Sequence, residues 1–126
     1  MNARGFSGER RALETLSYGR KLGVITAYSR PDWVVVPASG SPFFLEIKDQ
    51  DHFEGPPFDG HGLPLEQVER YELLRERSGL RTRLVVWEGR RQYSGWVDEL
   101  ERGRRFITPE KARVVYPIGG FERRSL

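Results

Sequence analysis

Apolar residues recur at helical spacing in two parts of the chain and predict two amphipathic helices, over residues 6–18 and 65–78. In the second segment, Val68 and Leu74 lie on the inward face, and Gly79 is a typical helix stop. Both segments carry charged residues on their remaining positions, as a helix with one buried face does. The pattern therefore predicts helices that pack one face against a sheet.

Segments rich in β-branched and aromatic residues predict strands. These predicted strands are residues 24–29, 32–37, 43–49, 81–88 and 92–97. Residues 49–64 are rich in Gly, Pro and Asp and are predicted as a long loop, whereas residues 98–126 predict a short helix and one or two short strands. The order of the elements predicts an α/β fold with a mixed central β-sheet flanked by helices.

The chain has 126 residues, which is one domain's worth, so we expect a single domain over residues 1–126. It contains no Cys, which excludes a disulfide scaffold, a thiol nucleophile and a zinc ribbon. It has no apolar stretch of 18 residues and no signal peptide at its start, so we expect a cytoplasmic protein without a membrane span.

The net charge is +3, and the 21 cationic residues comprise 18 Arg and 3 Lys. Arg presents a planar fork that binds phosphate with two hydrogen bonds, and a basic balance favours an anionic partner such as nucleic acid. A codon bias or adaptation to heat would explain the Arg content equally well. The charge therefore permits a nucleic-acid partner without establishing one.

Charged residues interrupt two strands that are otherwise apolar. Glu46 and Lys48 are two positions apart in the strand FFLEIKD, so their side chains leave the same face of it. Asp32 opens the preceding predicted strand. If the two strands form a hairpin around residues 38–42, Asp32 lies near the Lys48 end of its neighbour. We therefore expect two carboxylates and one ammonium group to converge at one edge of the sheet.

The expected pair of carboxylates, Asp32 and Glu46, is a candidate site for Mg²⁺. Two carboxylates that lie a few ångströms apart repel each other unless a positive charge lies between them. Mg²⁺ prefers oxygen ligands, and the backbone carbonyl of Ile47 is a further candidate ligand. The metal lowers the pKa of a bound water and polarises phosphorus–oxygen bonds, while Lys48 would orient the metal-bound water or neutralise a phosphate oxygen. These parts suit the hydrolysis of a phosphodiester.

Each of these residues also has a purely structural interpretation. Asp32, Glu46 and Lys48 would form an ordinary ion pair on a solvated strand face, although the strands are strongly apolar otherwise. Glu9 lies beside the apolar stripe of the first predicted helix, where a metal would compensate its buried charge. Alternatively, Glu9 is a first-turn residue that the helix dipole favours.

Four other polar residues stand apart from this group. Gln67 and Tyr71 are four positions apart on the second predicted helix, so they share one face. An amide there would hydrogen-bond Lys48 or a phosphate, or it would form the polar flank of an amphipathic helix. His52 and His61 fall in the predicted loop, and we expect them to be mobile loop residues rather than metal ligands.

The order of these residues resembles the PD-(D/E)xK nuclease superfamily. Pro31-Asp32 reproduces the PD, and Glu46-Ile47-Lys48 reproduces the (D/E)xK. With the segment GFSGERR at residues 5–11, the chain looks most like the archaeal-type Holliday-junction resolvases. Their pattern begins with G-x-x-x-E-R on the first helix and continues with an Asp and an E-V-K on adjacent strands. The match covers about residues 5–50, with a looser match through residue 88.

The resemblance implies a restriction-endonuclease-like fold and an enzyme that resolves four-way DNA junctions as a homodimer. It implies that Glu9, Asp32 and Glu46 bind Mg²⁺, for which Mn²⁺ would substitute, and that Lys48 assists the attacking water. The residues expected to contact the DNA backbone are Arg10, Arg11 and Arg30.

The sequence departs from the resolvase pattern in two places. Residues 49–64 carry acidic residues and two His, where the resolvases tend to be basic. The pair Gln67-x-x-x-Tyr71 is similar to the Q-x-x-x-Y element of RecB-like nucleases. Two alternatives therefore remain open, a related nuclease that cuts flaps, nicked DNA or linear ends, and a non-catalytic DNA-binding module.

Overall fold

A computed structural model describes residues 19–24, 33–110 and 112–125, with the backbone alone for residues 19–24. The helix predicted over residues 6–18 lies outside these ranges, and so does nearly all of the strand predicted over residues 24–29.

The described residues form strands and helices in a mixed order. These elements are β1 (Gly19–Val24), β2 (Trp33–Pro37), β3 (Phe43–Asp49), β4 (Gly60–Pro64), α1 (Leu65–Ser78), β5 (Thr82–Glu88), β6 (Arg91–Trp96), α2 (Val97–Arg102), β7 (Phe106–Ile107), β8 (Arg113–Pro117), a 3₁₀ turn (Ile118–Gly120) and β9 (Glu122–Ser125). The six-stranded main sheet has the order β1-β2-β3-β5-β6-β9. In it β3 and β5 run parallel, and the other described neighbours run antiparallel. The predicted mixed sheet flanked by helices is confirmed.

The helix α1 forms where the apolar spacing predicts it. Val68 and Tyr71 are buried on its inner face, and Leu74 packs against the same cluster. Gly79 ends the helix in the left-handed conformation, with φ of 75°, and its N–H donates to the carbonyl of Arg75 at 2.8 Å. Glycine adopts this conformation without the steric cost that a Cβ brings. The helix thereby joins the core that contains Leu84 and Val86 of β5.

The predicted loop over residues 49–64 is wrong at its end, because β4 occupies Gly60–Pro64. This strand pairs with β8 in a second, three-stranded sheet of order β4-β8-β7. A Cβ on Gly60 or Gly62 would collide with the backbone of β8. The two glycines that resemble loop residues in composition are therefore what allows β4 to lie this close to its neighbour.

The first strand and the last strand also differ from the prediction. β1 begins at Gly19 rather than at residue 24, and its pairing with β2 contains an irregularity between Lys21 and Gly23. Glycine in a strand commonly marks such a bulge, because it has no side chain to pack. β9 carries four exposed residues and no apolar pattern, so backbone pairing with β6 alone defines it.

The main sheet has a buried layer on each face. One face carries Leu84, Val86 and Tyr93, and it is covered by α1, α2 and the second sheet; we call it the helix face. The opposite face carries a separate cluster centred on Leu45, Trp87 and their neighbours. Neither described helix combines the length and the apolar character that a membrane span requires. The helix face is the one that positions the candidate site.

Candidate active site

Glu46 and Lys48 lie together on β3, as the strand alternation predicts. Nζ of Lys48 is 3.3 Å from Oε1 of Glu46. The side chain of Glu46 is completely buried, whereas that of Lys48 is 20% exposed. The pair thus has a buried anionic end and a cationic end within reach of solvent.

The register of the sheet places this pair on the helix face. Glu46 lies beside Leu84 and Lys48 beside Val86 in the parallel pairing of β3 with β5, and both partners belong to the core under α1. A solvated strand face is therefore not the explanation for Glu46. A buried carboxylate costs several kcal/mol unless compensating groups surround it, and the Lys48 ammonium is one such group.

The residue between them, Ile47, points the other way. It packs in the opposite cluster with Val85 and Trp87. Its burial fixes the backbone of β3 at the point where Glu46 and Lys48 leave the strand. The neighbouring strand in the sheet, β2, begins with Trp33. The register partner of Trp33 is Leu45, the residue directly before Glu46.

The inner face of α1 lies over the same region. Tyr71 is buried in the cluster that contains Leu84 and Val86. Gln67 is half-buried, and its Oε1 is buried without a hydrogen-bond partner among the described residues. An amide oxygen in this position favours a donor from a ligand or a charged neighbour, because an unpaired buried acceptor is costly. A purely solvated flank does not describe Gln67.

Several predicted residues lie outside the described residues. They are Glu9, Arg10, Arg11, Arg30 and Asp32. Within the described part, no three His, Asp or Glu side chains are arranged to hold a metal ion. Of the carboxylates predicted to bind a metal, Glu46 is the one that lies among the described residues, and a carboxylate oxygen is a donor that Mg²⁺ accepts.

The two histidines are not mobile loop residues. His61 belongs to β4 and is buried against Tyr93 and Phe121, with ring centroids 5.0 Å and 6.0 Å away. The backbone N–H of His52 donates to Oε1 of Glu88 at 2.6 Å, and its Nδ1 lies 2.9 Å from the same oxygen. The expectation failed because the segment after β3, which carries His52, and β4, which carries His61, both lie against Glu88 at the end of β5.

Glu88 links the two rings electrostatically. Nε2 of His61 lies 3.4 Å from Oε1 of Glu88. The hydrogen bond to Glu88 raises the pKa of His52 above its usual value. Burial dominates at His61 instead and lowers its pKa to about 4, so this ring is neutral at physiological pH.

Glu88 was not among the predicted residues, although the strand pattern offers a signal for it. It follows Val86 by two positions on β5, so its side chain leaves the helix face. Val86 and its register partner Lys48 leave the same face. The cluster of His52, His61 and Glu88 therefore lies one step further along this face than the pair on β3. It holds the segment that follows β3 against the end of β5.

The arrangement around β3 provides two chemical functions. The Glu46 carboxylate offers hard oxygen donors to a divalent cation in a buried environment. The Lys48 ammonium offers hydrogen bonds to an anionic oxygen or to a water at the exposed end of the pair. Phosphodiester hydrolysis uses both of these functions. An ordinary surface ion pair has no buried carboxylate and no such division into a buried anionic end and an exposed cationic end.

Comparisons with known proteins identify the fold. No protein-family model and no curated protein sequence matches the chain. Among solved structures, the chain is similar to Hjc, a Holliday junction resolvase from the archaeal hyperthermophile Archaeoglobus fulgidus. The TM-score is 0.62 with 19% sequence identity, and the alignment covers 89% of this chain and 88% of that one. The likeness to the archaeal-type resolvases that the motifs indicated is confirmed at the level of the fold.

Proposed function

We propose that the chain is a Mg²⁺-dependent endonuclease that cuts branched DNA and resolves four-way junctions. The observation that carries the proposal is the buried Glu46 carboxylate 3.3 Å from Lys48 on the helix face of the central strand pair. The fold that holds this pair is similar to that of a Holliday junction resolvase. Fold alone does not define activity, so the pair of side chains is the essential part of the argument.

In this proposal Glu9, Asp32 and Glu46 hold the metal together with the carbonyl of Ile47. When bound, Mg²⁺ supplies Lewis-acid polarisation of the phosphodiester and acidifies water, and Mn²⁺ would substitute for it. Asp32 immediately precedes β2, whose first residue pairs next to Glu46, which supports its inclusion. Glu9 enters on the resemblance of its motif.

The role of Lys48 follows from its exposure. Its ammonium group donates hydrogen bonds to the attacking water or to a non-bridging phosphate oxygen, where negative charge increases in the transition state. Glu46 holds that ammonium in place. Attack of the water on phosphorus breaks one phosphorus–oxygen bond of the backbone, which leaves one phosphate end and one hydroxyl end.

Gln67 and Tyr71 support this site in the proposal. The buried Oε1 of Gln67 is an acceptor for a Lys48 hydrogen or for a bound water. Tyr71 packs on the core beneath the same strands and fixes the position of α1. Arg10, Arg11 and Arg30 are proposed to contact the DNA backbone near the cleavage site.

We also propose that the active form is a homodimer, because symmetric resolution of a four-way junction requires two cuts. Light scattering of the purified protein tests this directly. A mass near twice the 14.6 kDa of the chain supports the dimer, and a monomer that still makes paired cuts contradicts it.

A related nuclease activity on flaps, nicked duplexes or linear ends is the second candidate. The pair Gln67 and Tyr71 on the inner side of α1 favours it, since this pair is similar to an element of RecB-like nucleases. The purified protein should be offered a four-way junction, a flap and a linear duplex of equal length, with and without Mg²⁺. Preferred cutting of the junction supports resolution, and preferred cutting of flaps or ends supports the second candidate. No cutting of any DNA with Mg²⁺ or Mn²⁺ supports the non-catalytic module.

A further inference from the structure

Four exposed arginines lie on or beside the last two strands of the main sheet, and Arg123 and Arg124 leave opposite faces of the edge strand. Arg90 and Arg91 lie at the turn and start of β6, and Arg123 and Arg124 lie on β9, the edge strand. The antiparallel register pairs Tyr93 with Arg123 and Gln92 with Arg124. This pairing brings two arginine pairs that are far apart in sequence to one edge. We call these four residues the arginine edge.

The arginine edge is not neutralised by its surroundings. Within the described part of the chain, none of its four guanidinium groups forms an ion pair. The two nearest carboxylates in sequence are engaged elsewhere, Glu88 with the His52 ring and Glu122 with Arg83 at 2.8 Å. Uncompensated charge of this kind attracts an anionic partner.

Some other described arginines are paired, whereas Arg70 and Arg77 of α1 are exposed and form no ion pair with any described residue, like the arginine edge. Asp98 accepts a hydrogen bond from Nε of Arg81 at 3.0 Å and lies 3.5 Å from Nη1 of Arg75. The arginine edge differs from Arg70 and Arg77 because the pairing of β6 with β9 brings together arginines that are distant in sequence. We take this convergence as the mark of a binding surface.

The arginine edge and the candidate active site are connected through the sheet. Register partners Lys48, Val86, Tyr93 and Arg123 form one row across β3, β5, β6 and β9. Three strand spacings of about 4.8 Å place Arg123 about 14 Å from Lys48 along this row. This separation is close to the width of about 12 Å of the major groove of duplex DNA.

We propose that the arginine edge binds the phosphate backbone of a duplex DNA arm while the neighbouring site on β3 engages the strand that is cut. This inference rests on the proposed nuclease function and names a second contact surface for its substrate. Arg is suited to this contact because its planar fork binds phosphate with two hydrogen bonds. Contacts to phosphate carry no base information, so the surface positions an arm of any sequence.

The test is the salt dependence of DNA binding. The variant Arg123→Gln/Arg124→Gln is compared with the wild type and with Arg70→Gln/Arg77→Gln, a control that removes two exposed arginines from α1. Both variants lose the same charge, so net charge alone does not separate them. Binding of a labelled linear duplex and of a synthetic four-way junction is measured by fluorescence anisotropy between about 50 and 200 mM salt.

Two lost phosphate contacts should reduce the slope of log K against log salt by about 1.8. At 0.1 M salt this corresponds to an affinity loss on the order of 50-fold, while the control variant stays near the wild type. Equal slopes for the wild type and both variants overturn the inference. Equal losses in the two variants also overturn it, because they show a general charge effect.

Two further results separate this inference from the proposed function. If Arg123→Gln/Arg124→Gln shows the expected change in salt slope but the wild type cuts no DNA, the nuclease function is rejected and the arginine edge is retained. A wild type that cuts junctions while Arg123→Gln/Arg124→Gln binds like the control retains the nuclease and rejects the edge.

Discussion

Nζ of Lys48 lies 3.3 Å from Oε1 of Glu46, although Glu46 is fully buried and Lys48 reaches solvent. The two side chains leave the same face of β3, two positions apart, beside Leu84 and Val86 in the core to which α1 belongs. The buried carboxylate orients the ammonium, and the exposed ammonium gives the site access to a substrate. Stability and function are therefore expected to depend on the same pair.

Replacing Lys48 should destabilise the fold. In Lys48→Met the buried Glu46 carboxylate loses its ammonium partner, and the free energy of unfolding should fall by about 2 kcal/mol. Lys48→Arg keeps the charge and should recover most of this loss. Urea unfolding measures both variants, and combining Lys48→Met with Glu46→Gln should cost less than the sum of the single changes. Strict additivity would show that the two groups are not coupled.

The stability of the protein should depend on His61 below neutral pH. Its pKa is about 4 in the folded chain, against about 6.5 when unfolded, because burial opposes its charge. Stability from this residue is therefore complete above pH 6.5 and is lost as the pH falls towards 4. The difference amounts to about 3 kcal/mol. His61→Phe keeps the ring among Tyr93 and Phe121 and should remove this part of the acid loss.

His52 should act in the opposite direction. Its pKa is raised by the hydrogen bond to Glu88, so its contribution is complete below pH 6.5 and is lost as the pH rises through the raised pKa. His52→Gln should reduce the dependence of the free energy of unfolding on pH above pH 6.5 and leave it unchanged below. Urea unfolding from pH 4 to 8 tests His61→Phe and His52→Gln. If the free energy of unfolding of each variant differs from that of the wild type by the same amount at every pH, these assignments are contradicted.

The close approach of β4 to β8 predicts a sensitive glycine. A methyl group in Gly62→Ala would collide with the backbone of Val114, which cannot move without breaking the second sheet. We expect a loss of about 2 kcal/mol or more, as for other overpacked core positions. Gly119→Ala is the control, since a Cβ there meets no atom within 4 Å. Thermal or urea unfolding of both variants gives the comparison, and equal stabilities would show that β4 is not packed as described.

Metal binding should stabilise the folded chain through Glu46. Mg²⁺ at about five times its Kd should add about 1 kcal/mol, seen as a rise of a few degrees in Tm. EDTA should reverse the rise, Mn²⁺ should reproduce it, and Glu46→Gln should abolish it. NaCl at matched ionic strength controls for screening. An equal rise in Glu46→Gln would place the cation elsewhere.

Much of the central fold follows from local pattern. The alternation in FFLEIKD gave both the strand β3 and the shared face of Glu46 and Lys48. The helical spacing over residues 65–78 and the stop at Gly79 were also correct, because α1 buries one continuous stripe. These elements carry their own signal, and tertiary packing reinforces it.

The remaining features depend on partners that are distant in sequence. β4 resembles a loop until β8 is placed beside Gly60 and Gly62. The exposed β9 forms a strand because β6 offers its backbone edge, and this pairing is what collects the arginine edge. The contact of His52 and His61 with Glu88 joins three separate elements, so no local spacing announces it.

Cleavage of a synthetic four-way junction by Glu46→Gln tests the central claim most directly. The change keeps the size of the side chain and removes the charge beside Lys48. The variant should therefore bind the junction like the wild type in Mg²⁺ but cut it more slowly by a factor on the order of 100 or more. Glu69→Gln, an exposed change on α1, should cut at the wild-type rate. Asp32→Asn should behave as Glu46→Gln does. Undiminished cutting by a folded Glu46→Gln protein would show that the pair on β3 is not the active site.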